Sequence, residues 1–264
     1  MDEASLEGRT ALVTGGGRGI GRGISIALAR RGAAVAVNFH RSVSTAEDVV
    51  EEIAAAGGHA IAYQADVRDP EDCAKMVEAV DANLGPIDIL VCNAGTASRG
   101  HAVVDTEATE VLELLTTHAL SAFHLSKLLI PAMRARRRGD IVMISSVLAN
   151  RAPVGGAPYT MAKAAMETLA ATLAKEERDK GIHVNVVAPG LVETDMGVRL
   201  ARATTGQADI DELRGLDDEY PFGRVCQPID VARVVTWLCS EGAGYVTGQR
   251  IECDGGGPLV DRLV

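Results

Sequence analysis

The stretch that decides the fold is Thr10-Ala11-Leu12-Val13-Thr14-Gly15-Gly16-Gly17-Arg18-Gly19-Ile20-Gly21. Its first four residues form a short apolar run that is typical of a buried strand. An apolar helical pattern follows over residues 24–29 and ends at Gly32, and residues 34–37 have the pattern of a second strand. A strand, a glycine-rich turn, a helix and a strand within about thirty residues predict a βαβ unit that binds a nucleotide. The glycines let the backbone approach a pyrophosphate, and the helix N-terminus adds partial positive charge.

Strand-like and helix-like segments alternate along the rest of the chain. Strands are expected at residues 11–13, 34–38, 60–64, 87–92, 141–145, 183–188 and 250–252. Helices are expected at residues 46–56, 70–84, 107–136, 159–180 and 228–239. This alternation predicts an α/β fold, a single Rossmann-type domain over residues 1–264 with a doubly wound parallel sheet and helices on both faces. Residues 191–225 break the alternation and are expected to form a substrate lid.

Ligands of such a fold bind beyond the carboxyl ends of the strands. Several polar and turn-forming residues fall at these predicted ends: Gly15, Asn38, Asp66, Asn93, Ser146 and Pro189. Their placement favours a binding site there, independently of any motif.

The net charge, the cysteines and the lengths of the apolar runs argue against several classes of protein. A net charge of −10 argues against a general nucleic-acid binder. Five cysteines without a C-x-x-C pair favour reduced thiols in a cytoplasmic protein and argue against a disulfide framework or a metal site. The acidic N-terminus lacks the features of a secretory signal, and no apolar run approaches the roughly 20 residues needed to cross a bilayer.

Tyr159 and Lys163 stand four residues apart, and Ser146 lies thirteen residues before Tyr159. Residues at this spacing share one helix face, so the phenol and the ammonium are expected to point into one cleft. A neighbouring cation favours the phenolate and is expected to lower the pKa of Tyr159, allowing proton transfer to a substrate oxygen held by Ser146. The alternative is an ordinary pair on an exposed helix.

The chain resembles the short-chain dehydrogenases/reductases, and within them most closely the β-ketoacyl-acyl-carrier-protein reductases. The resemblance rests on the glycine-rich turn, Asn93-Ala94-Gly95, Ser146, Tyr159, Lys163 and Pro189-Gly190, which occur in the family's order from about residue 6 to residue 257. It implies that Tyr159 is the general acid, that Ser146 orients the carbonyl, and that Lys163 tunes the phenol and holds the nicotinamide ribose.

The resemblance also implies a cofactor site. Its members are expected to be Gly15, Gly17, Arg18, Gly19, Ile20, Gly21, Asn38, His40, Arg41, Ser42, Asp66, Val67, Asn93, Ala94, Gly95, Tyr159, Lys163, Pro189, Gly190, Val192 and Thr194. Asp66 would accept the adenine amino group, and Val192 and Thr194 would hold the carboxamide. NADP(H) is favoured over NAD(H), because the second strand ends without an acid and Arg18 and Arg41 suit a 2′-phosphate. The alternative is that both arginines are solvated.

His118 occupies the place of an asparagine whose backbone carbonyl, in the family, holds a water of the proton relay. Either His118 is an interior histidine that only packs, or its imidazole joins the relay and alters the pH profile. Impaired catalysis is a third possibility, which the intact Ser146, Tyr159 and Lys163 argue against.

These features predict an NADPH-dependent reductase of a keto group, with a 3-oxoacyl thioester on acyl carrier protein as the first candidate. The alternative is a dehydrogenase of a small alcohol, sugar, steroid or polyketide, and a non-catalytic nucleotide-binding protein is disfavoured. Arg137 and Lys180 match basic positions that would steer an acidic carrier protein, or they offset helix dipoles. A homotetramer is expected, with residues 107–136 and 159–180 packing across an interface through Ala162, Ala165 and Ala170.

Overall fold

Seven parallel strands form one sheet in the computed structural model, which describes residues 4–205 and 211–258. They are β1 (Thr10–Val13), β2 (Ala34–Phe39), β3 (His59–Gln64), β4 (Ile87–Cys92), β5 (Gly139–Ile144), β6 (Ile182–Pro189) and β7 (Arg250–Cys253). The spatial order is β3-β2-β1-β4-β5-β6-β7, so the order reverses between β1 and β4. A crevice forms at such a reversal, at the carboxyl ends of the strands. The predicted doubly wound sheet is confirmed, and every predicted strand overlaps an observed one.

Helices cover both faces of the sheet. They are α1 (Gly19–Arg30), α2 (Val43–Ala55), α3 (Pro70–Leu84), α4 (Ala108–Leu115), α5 (Ser121–Met133), α6 (Leu148–Arg151), α7 (Ala157–Glu177), α8 (Asp195–Thr205) and α9 (Pro228–Leu238). One buried apolar cluster includes Ile24 of α1 and Val235 of α9, and a second includes Leu125 of α5 and Met166 of α7. The strands lie between these clusters, which explains their continuous apolar sequences.

The helix predicted over residues 107–136 is not continuous. A π-helical turn, Thr116–Leu120, separates α4 from α5 and contains His118. Thr117 donates a hydrogen bond to the carbonyl of Glu113 (2.8 Å), and Ser121 donates one to that of Thr117 (2.6 Å). Hydroxyls that bond to the preceding turn in this way are associated with helix bending, and π turns often mark functional sites.

The segment predicted as an irregular lid, residues 191–225, is largely helical where the structure describes it. It contains α8 and two 3₁₀ helices, Leu213–Glu219 and Pro221–Gly223. Its own small apolar cluster consists of Ala201, Leu213, Leu216, Tyr220 and Val225. The first of these 3₁₀ helices ends in the acidic run Asp217-Asp218-Glu219. The two ends of the segment meet, because Val192 and Cys226 form an isolated parallel bridge.

The predicted small-residue face of α7 is not a single outer face. Ala162 and Ala170 are buried against the sheet, whereas Ala165 is exposed. A spacing of three residues followed by five places them on different sides of the helix.

Among the described helices, none is long and apolar enough to cross a membrane.

Candidate active site

The glycine-rich turn after β1 leaves the N-terminus of α1 open to a ligand. Gly15 and Gly19 adopt left-handed backbone angles (φ +61° and +52°), which favour glycine. Gly21 has no room for a side chain, because a Cβ atom there would lie 2.1 Å from the carbonyl oxygen of Gly15. No side chain of the described residues caps α1, so its first N–H groups remain available to an anion. The turn therefore fits a dinucleotide pyrophosphate.

Two asparagines from neighbouring strand ends hold the shape of this turn. Asn38 accepts a hydrogen bond from the Gly15 N–H at Oδ1 (3.1 Å). Asn93 donates from Nδ2 to the carbonyls of Thr14 and Gly15 (2.9 and 3.1 Å). The Thr14 hydroxyl accepts from the N–H groups of Asn93 and Ala94 (2.9 and 3.0 Å). Both asparagines lie at the expected place, and their side chains support the turn.

The residues predicted to select the cofactor lie beside the turn, at the ends of β2 and β3. His40, Arg41 and Ser42 are exposed, as is Arg18 in the turn itself. Within the described parts of the chain, neither Arg18 nor Arg41 has an ion pair or a side-chain hydrogen bond. Both guanidiniums are thus available to an anionic ligand.

The carboxylate of Asp66, which follows β3, is bound by Arg68, a residue that the sequence analysis did not assign to the site. Arg68 donates to its carboxylate from Nε (2.9 and 3.0 Å) and Nη2 (2.6 Å). These bonds, with a smaller contribution from His40 at 3.6 Å, lower the pKa of Asp66 to about 2. The carboxylate stays charged at neutral pH, beside the buried Val67. An adenine amino group would share this acceptor with Arg68.

The predicted catalytic trio converges. Ser146 follows β5, and Tyr159 and Lys163 lie on the first turns of α7. The Ser146 hydroxyl lies close enough to the Tyr159 phenol to favour its phenolate form, and it accepts a hydrogen bond from the N–H of Leu148 (3.2 Å). Lys163 is only 4% exposed; its Nζ donates to the carbonyl of Ile144 (2.7 Å) and lies 5.5 Å from the centre of the Tyr159 ring. The sequence spacing therefore brings the three groups to one place at the carboxyl end of β5.

The pKa of Tyr159 differs from the sequence expectation. Burial raises it to about 12, and the nearby Ser146 hydroxyl offsets only part of this rise. Burial also lowers the pKa of Lys163 to about 7, against the opposing charge of Glu167. The expected lowering of the tyrosine pKa by the ammonium was wrong for this structure, because loss of solvent favours the neutral form of both groups. A neutral phenol is suited to donating a proton.

His118 packs its ring edge against Tyr159. The ring centres are 5.5 Å apart with an interplanar angle of 88°. The Nε2 atom lies 2.9 Å from the carbonyl oxygen of Thr96, and Nδ1 is buried without a hydrogen-bond partner among the described residues. Burial, with a smaller contribution from the Lys163 charge, lowers the pKa of His118 to about 3. The imidazole is therefore neutral at physiological pH, which contradicts the hypothesis of a histidine that titrates there as part of a relay.

Gly95 makes room for that ring. A Cβ at Gly95 would lie 2.3 Å from Cε1 of His118. The predicted Asn93-Ala94-Gly95 segment thus contacts the glycine turn at its first two residues and the His118 ring at its third.

An ion pair behind the trio was not predicted. Glu167 accepts hydrogen bonds from Nε of Arg250 (3.0 Å to each oxygen) and from the hydroxyl of Ser145. Arg250 also donates from Nη2 to the carbonyl of Ser146 (3.1 Å). The pair therefore connects β7 and α7 to the backbone that carries Ser146. A sequence signal exists for Glu167, four residues after Lys163 on one helix face, but none exists for Arg250.

The turn after β6 lies beside the glycine-rich turn, as its predicted nicotinamide role requires. Thr194 lies against Gly19, since a Cβ atom added to Gly19 would be 3.2 Å from the methyl group of Thr194. The Thr194 hydroxyl accepts from the N–H of Gly197 (3.0 Å), and Val192 is buried. After Pro189, Gly190 packs so closely that a Cβ there would lie 2.7 Å from Cβ of Asp254.

The basic cluster predicted as a docking surface is neutralised by acids. The pairs are Arg134–Glu177 (2.6 Å), Arg136–Asp88 (2.8 Å), Arg137–Glu241 (2.9 Å), Arg138–Asp140 (2.9 Å) and Lys180–Asp179 (2.9 Å). These residues precede β5 and β6, whereas the trio follows β5. Six strand residues at about 3.3 Å each separate the two ends by roughly 20 Å. Within one chain, the cluster is therefore remote from the trio.

Comparisons with known proteins agree with this geometry. A family model described as enoyl-(acyl carrier protein) reductase matches residues 15–257. Versicolorin reductase 1 of Aspergillus parasiticus is 40% identical, over 97% of this chain and 98% of its own. The 3-oxoacyl-(acyl-carrier-protein) reductase of Staphylococcus aureus is 37% identical, over 94% and 97%.

Solved structures show the same fold. The L-sorbose reductase of Gluconobacter frateurii, complexed with NADPH and L-sorbose, superposes with a TM-score of 0.88 at 30% identity, over 97% of this chain and 98% of its own. A 7α-hydroxysteroid dehydrogenase complexed with NADH superposes with a TM-score of 0.87 at 32% identity, over 98% of each chain. One of these two structures thus contains NADPH and the other NADH.

Proposed function

The chain belongs to the short-chain dehydrogenase/reductase family, and from that premise we propose that it reduces a small-molecule ketone with NADPH. The observation that carries the proposal is the meeting of Ser146, Tyr159 and Lys163 beside a glycine turn that fits a dinucleotide. Bound NADPH would supply the hydride.

Each member of the trio has a role that its surroundings support. The Ser146 hydroxyl lies beside the Tyr159 phenol, so a carbonyl oxygen placed between them would accept from both. Tyr159 is protonated at neutral pH and would give its proton to the developing alkoxide. Lys163 is fixed by the carbonyl of Ile144, next to the ring, where it would hold a ribose hydroxyl. At neutral pH the phenol is therefore in the protonated form that reduction requires.

The preference for NADPH rests on Arg18 and Arg41. Both are exposed, and the end of β2, residues 38–42, contains no acid that would accept hydrogen bonds from ribose hydroxyls. A guanidinium binds a phosphate with two parallel hydrogen bonds. We expect both to bind the 2′-phosphate.

For the substrate, we propose a ketone of the polyketide class that is free in solution. Versicolorin reductase 1 is the more similar of the two relatives over a greater share of the chain. Two apolar side chains are largely or fully exposed, Val154 in the loop before Tyr159 and Phe222 beside Gly255, and both are available to contact an apolar substrate. The arginines that would attract a carrier protein are paired and remote.

The second candidate is reduction of a 3-oxoacyl thioester. It is favoured by the 37% identity to the reductase of Staphylococcus aureus over nearly the whole of both chains.

A substrate panel with both nicotinamide cofactors tests these proposals. It should include a bicyclic aryl ketone, an acetoacetyl thioester, a keto sugar and a keto steroid, each followed by loss of NADPH absorbance. We expect the highest kcat/KM for the aryl ketone. A higher value for the thioester would favour the second candidate. No turnover of any ketone, with NADPH bound, would refute the catalytic assignment.

A charge-reversal pair separates the two candidates further. Arg137→Glu with Lys180→Glu should leave turnover of the aryl ketone and of carrier-bound substrate unchanged, because both side chains are remote from the trio. Arg31→Glu with Lys75→Glu is a control with the same change of charge. Selective loss of carrier-protein turnover in the first pair would contradict our substrate proposal and support docking.

We also propose a homotetramer. Exposed apolar side chains follow the α4–α5 surface, including Leu112 (63%), Leu120 (46%) and Phe123 (44%). Surfaces of this kind often mark an interface. Light scattering on the eluting protein should give the mass of four chains, and the mass of one chain would contradict the proposal.

A further inference from the structure

Two cysteines meet at the base of the 191–225 segment. Cys226 bridges Val192, and its carbonyl accepts from the N–H of Glu193 (2.9 Å). Cys253 ends β7 in register with Pro189, and its carbonyl accepts from the N–H of Gly190 (3.2 Å). The two backbones therefore lie against the same five-residue turn, residues 189–193. Both side chains pack against the apolar cluster that contains Val192, and each thiol shifts the pKa of the other. The Cys226 thiol donates to the carbonyl of Gln227 (3.7 Å).

This pair differs from the other three cysteines. Cys73, Cys92 and Cys239 are buried in the apolar core, whereas Cys226 and Cys253 are partly accessible. Burial raises the pKa of Cys73 to about 11 and that of Cys92 to about 12. The neighbouring Cys226 thiol lowers the pKa of Cys253. Since the thiolate is the reactive form, oxidants should react first at Cys253.

We propose that Cys226 and Cys253 form a redox-modification site, at which a hydroperoxide converts the two thiols into a disulfide. The Cys253 thiolate attacks one peroxide oxygen, the O–O bond breaks, and the other oxygen leaves as water or an alcohol after taking up a proton. Cys253 is then a sulfenic acid. The Cys226 sulfur attacks it, the S–O bond breaks, and hydroxide leaves with the Cys226 proton as water. Two electrons pass from the thiols to the peroxide, and a dithiol reductant reverses the step by exchange.

The disulfide would restrain the residues around the trio. Val192 and Cys226 pair where the 191–225 segment begins and ends, and the bond would tie this pairing to β7. Asp254, the next residue, is bound to Arg151 (2.9 Å), which precedes the loop that leads into Tyr159. Closure of that segment over a substrate would then be hindered. This effect on turnover rests on the proposed function, whereas formation of the disulfide does not.

The test uses the full-length protein treated with a small molar excess of hydrogen peroxide. We expect a mass loss of two hydrogens and a peptide cross-linked between Cys226 and Cys253, with turnover lowered several-fold and restored by dithiothreitol. Cys226→Ser should stop at a sulfenic acid on Cys253, which a cyclic diketone would trap. Cys253→Ser should keep its mass and its turnover under the same treatment.

Several results would overturn the proposal. One is the absence of the 226–253 cross-link in the oxidised protein. Another is equal loss of turnover in wild type and Cys253→Ser. A cross-link with unchanged turnover would overturn the restraint on the segment. Because the mass readout is independent of turnover, failure of the proposed function would be recognised separately.

Discussion

The buried imidazole of His118 makes a quantitative prediction about stability and pH. The native state holds His118 neutral, with a pKa of about 3 against an ordinary value of 6.5. Between these two values the unfolded chain binds a proton that the native state does not. Stability is therefore unaffected by this group above the unfolded pKa and is lost as the pH falls below it.

The size of the effect follows from that difference. A pH of about 5 lies about 1.5 units below the pKa of the imidazole in the unfolded chain. Each unit of this difference lowers the free energy of unfolding by about 1.4 kcal/mol. Because of His118, the free energy of unfolding should therefore fall by about 2 kcal/mol when the pH is lowered from neutral to about 5. For a domain of this size, that corresponds to a fall in Tm of about 4–8 °C.

The comparison is wild type against His118→Asn, unfolded by heat and by urea at matched protein concentration across this pH range. Asparagine does not titrate, so the variant should lack this part of the pH dependence, whatever its absolute stability. His59→Asn, which removes an exposed histidine, is the control and should follow wild type. Equal loss of stability in wild type and His118→Asn would show that the imidazole is accommodated as a cation. The pH–rate profiles of active wild type and His118→Asn should overlay near neutral pH.

Two further predictions concern the cofactor and the lysine. The ratio of kcat/KM for NADPH over NADH should exceed one and should fall in Arg41→Ala but not in the control Arg31→Ala, while a preference for NADH would contradict the role of Arg18 and Arg41. Glu167→Gln should lower the pKa of Lys163 below about 7, because the Glu167 charge raises it, and should shift the corresponding limb of the kcat/KM profile to lower pH. Glu252→Gln removes another acid that pairs with Arg250 and should leave that limb in place.

The fold could be predicted because its elements follow from short stretches of sequence. Most strands are short apolar runs, and the glycine turn between β1 and α1 has its own pattern. The meeting of Tyr159 and Lys163 follows from helical spacing, and that of Ser146 follows from its place at a strand end. These positions need no knowledge of distant contacts.

The remaining features depend on residues far apart in sequence. Arg250 and Glu167 are 83 residues apart, and Arg136 finds Asp88 across 48 residues. The tyrosine pKa depends on how completely the surrounding chain removes water, which spacing does not reveal. Likewise, the pKa of His118 is lowered by its burial, which the sequence does not reveal.

The most direct test of the central claim is turnover by Tyr159→Phe. Loss of the proton donor should lower kcat on the preferred ketone by about 10²–10⁴. NADPH binding, followed by fluorescence, should be preserved, because binding is spread over the glycine turn and the strand ends. Tyr245→Phe, which alters a fully exposed tyrosine, is the matched control and should equal wild type. A Tyr159→Phe variant with kcat within about threefold of wild type would contradict the account, since general acid catalysis contributes far more than that.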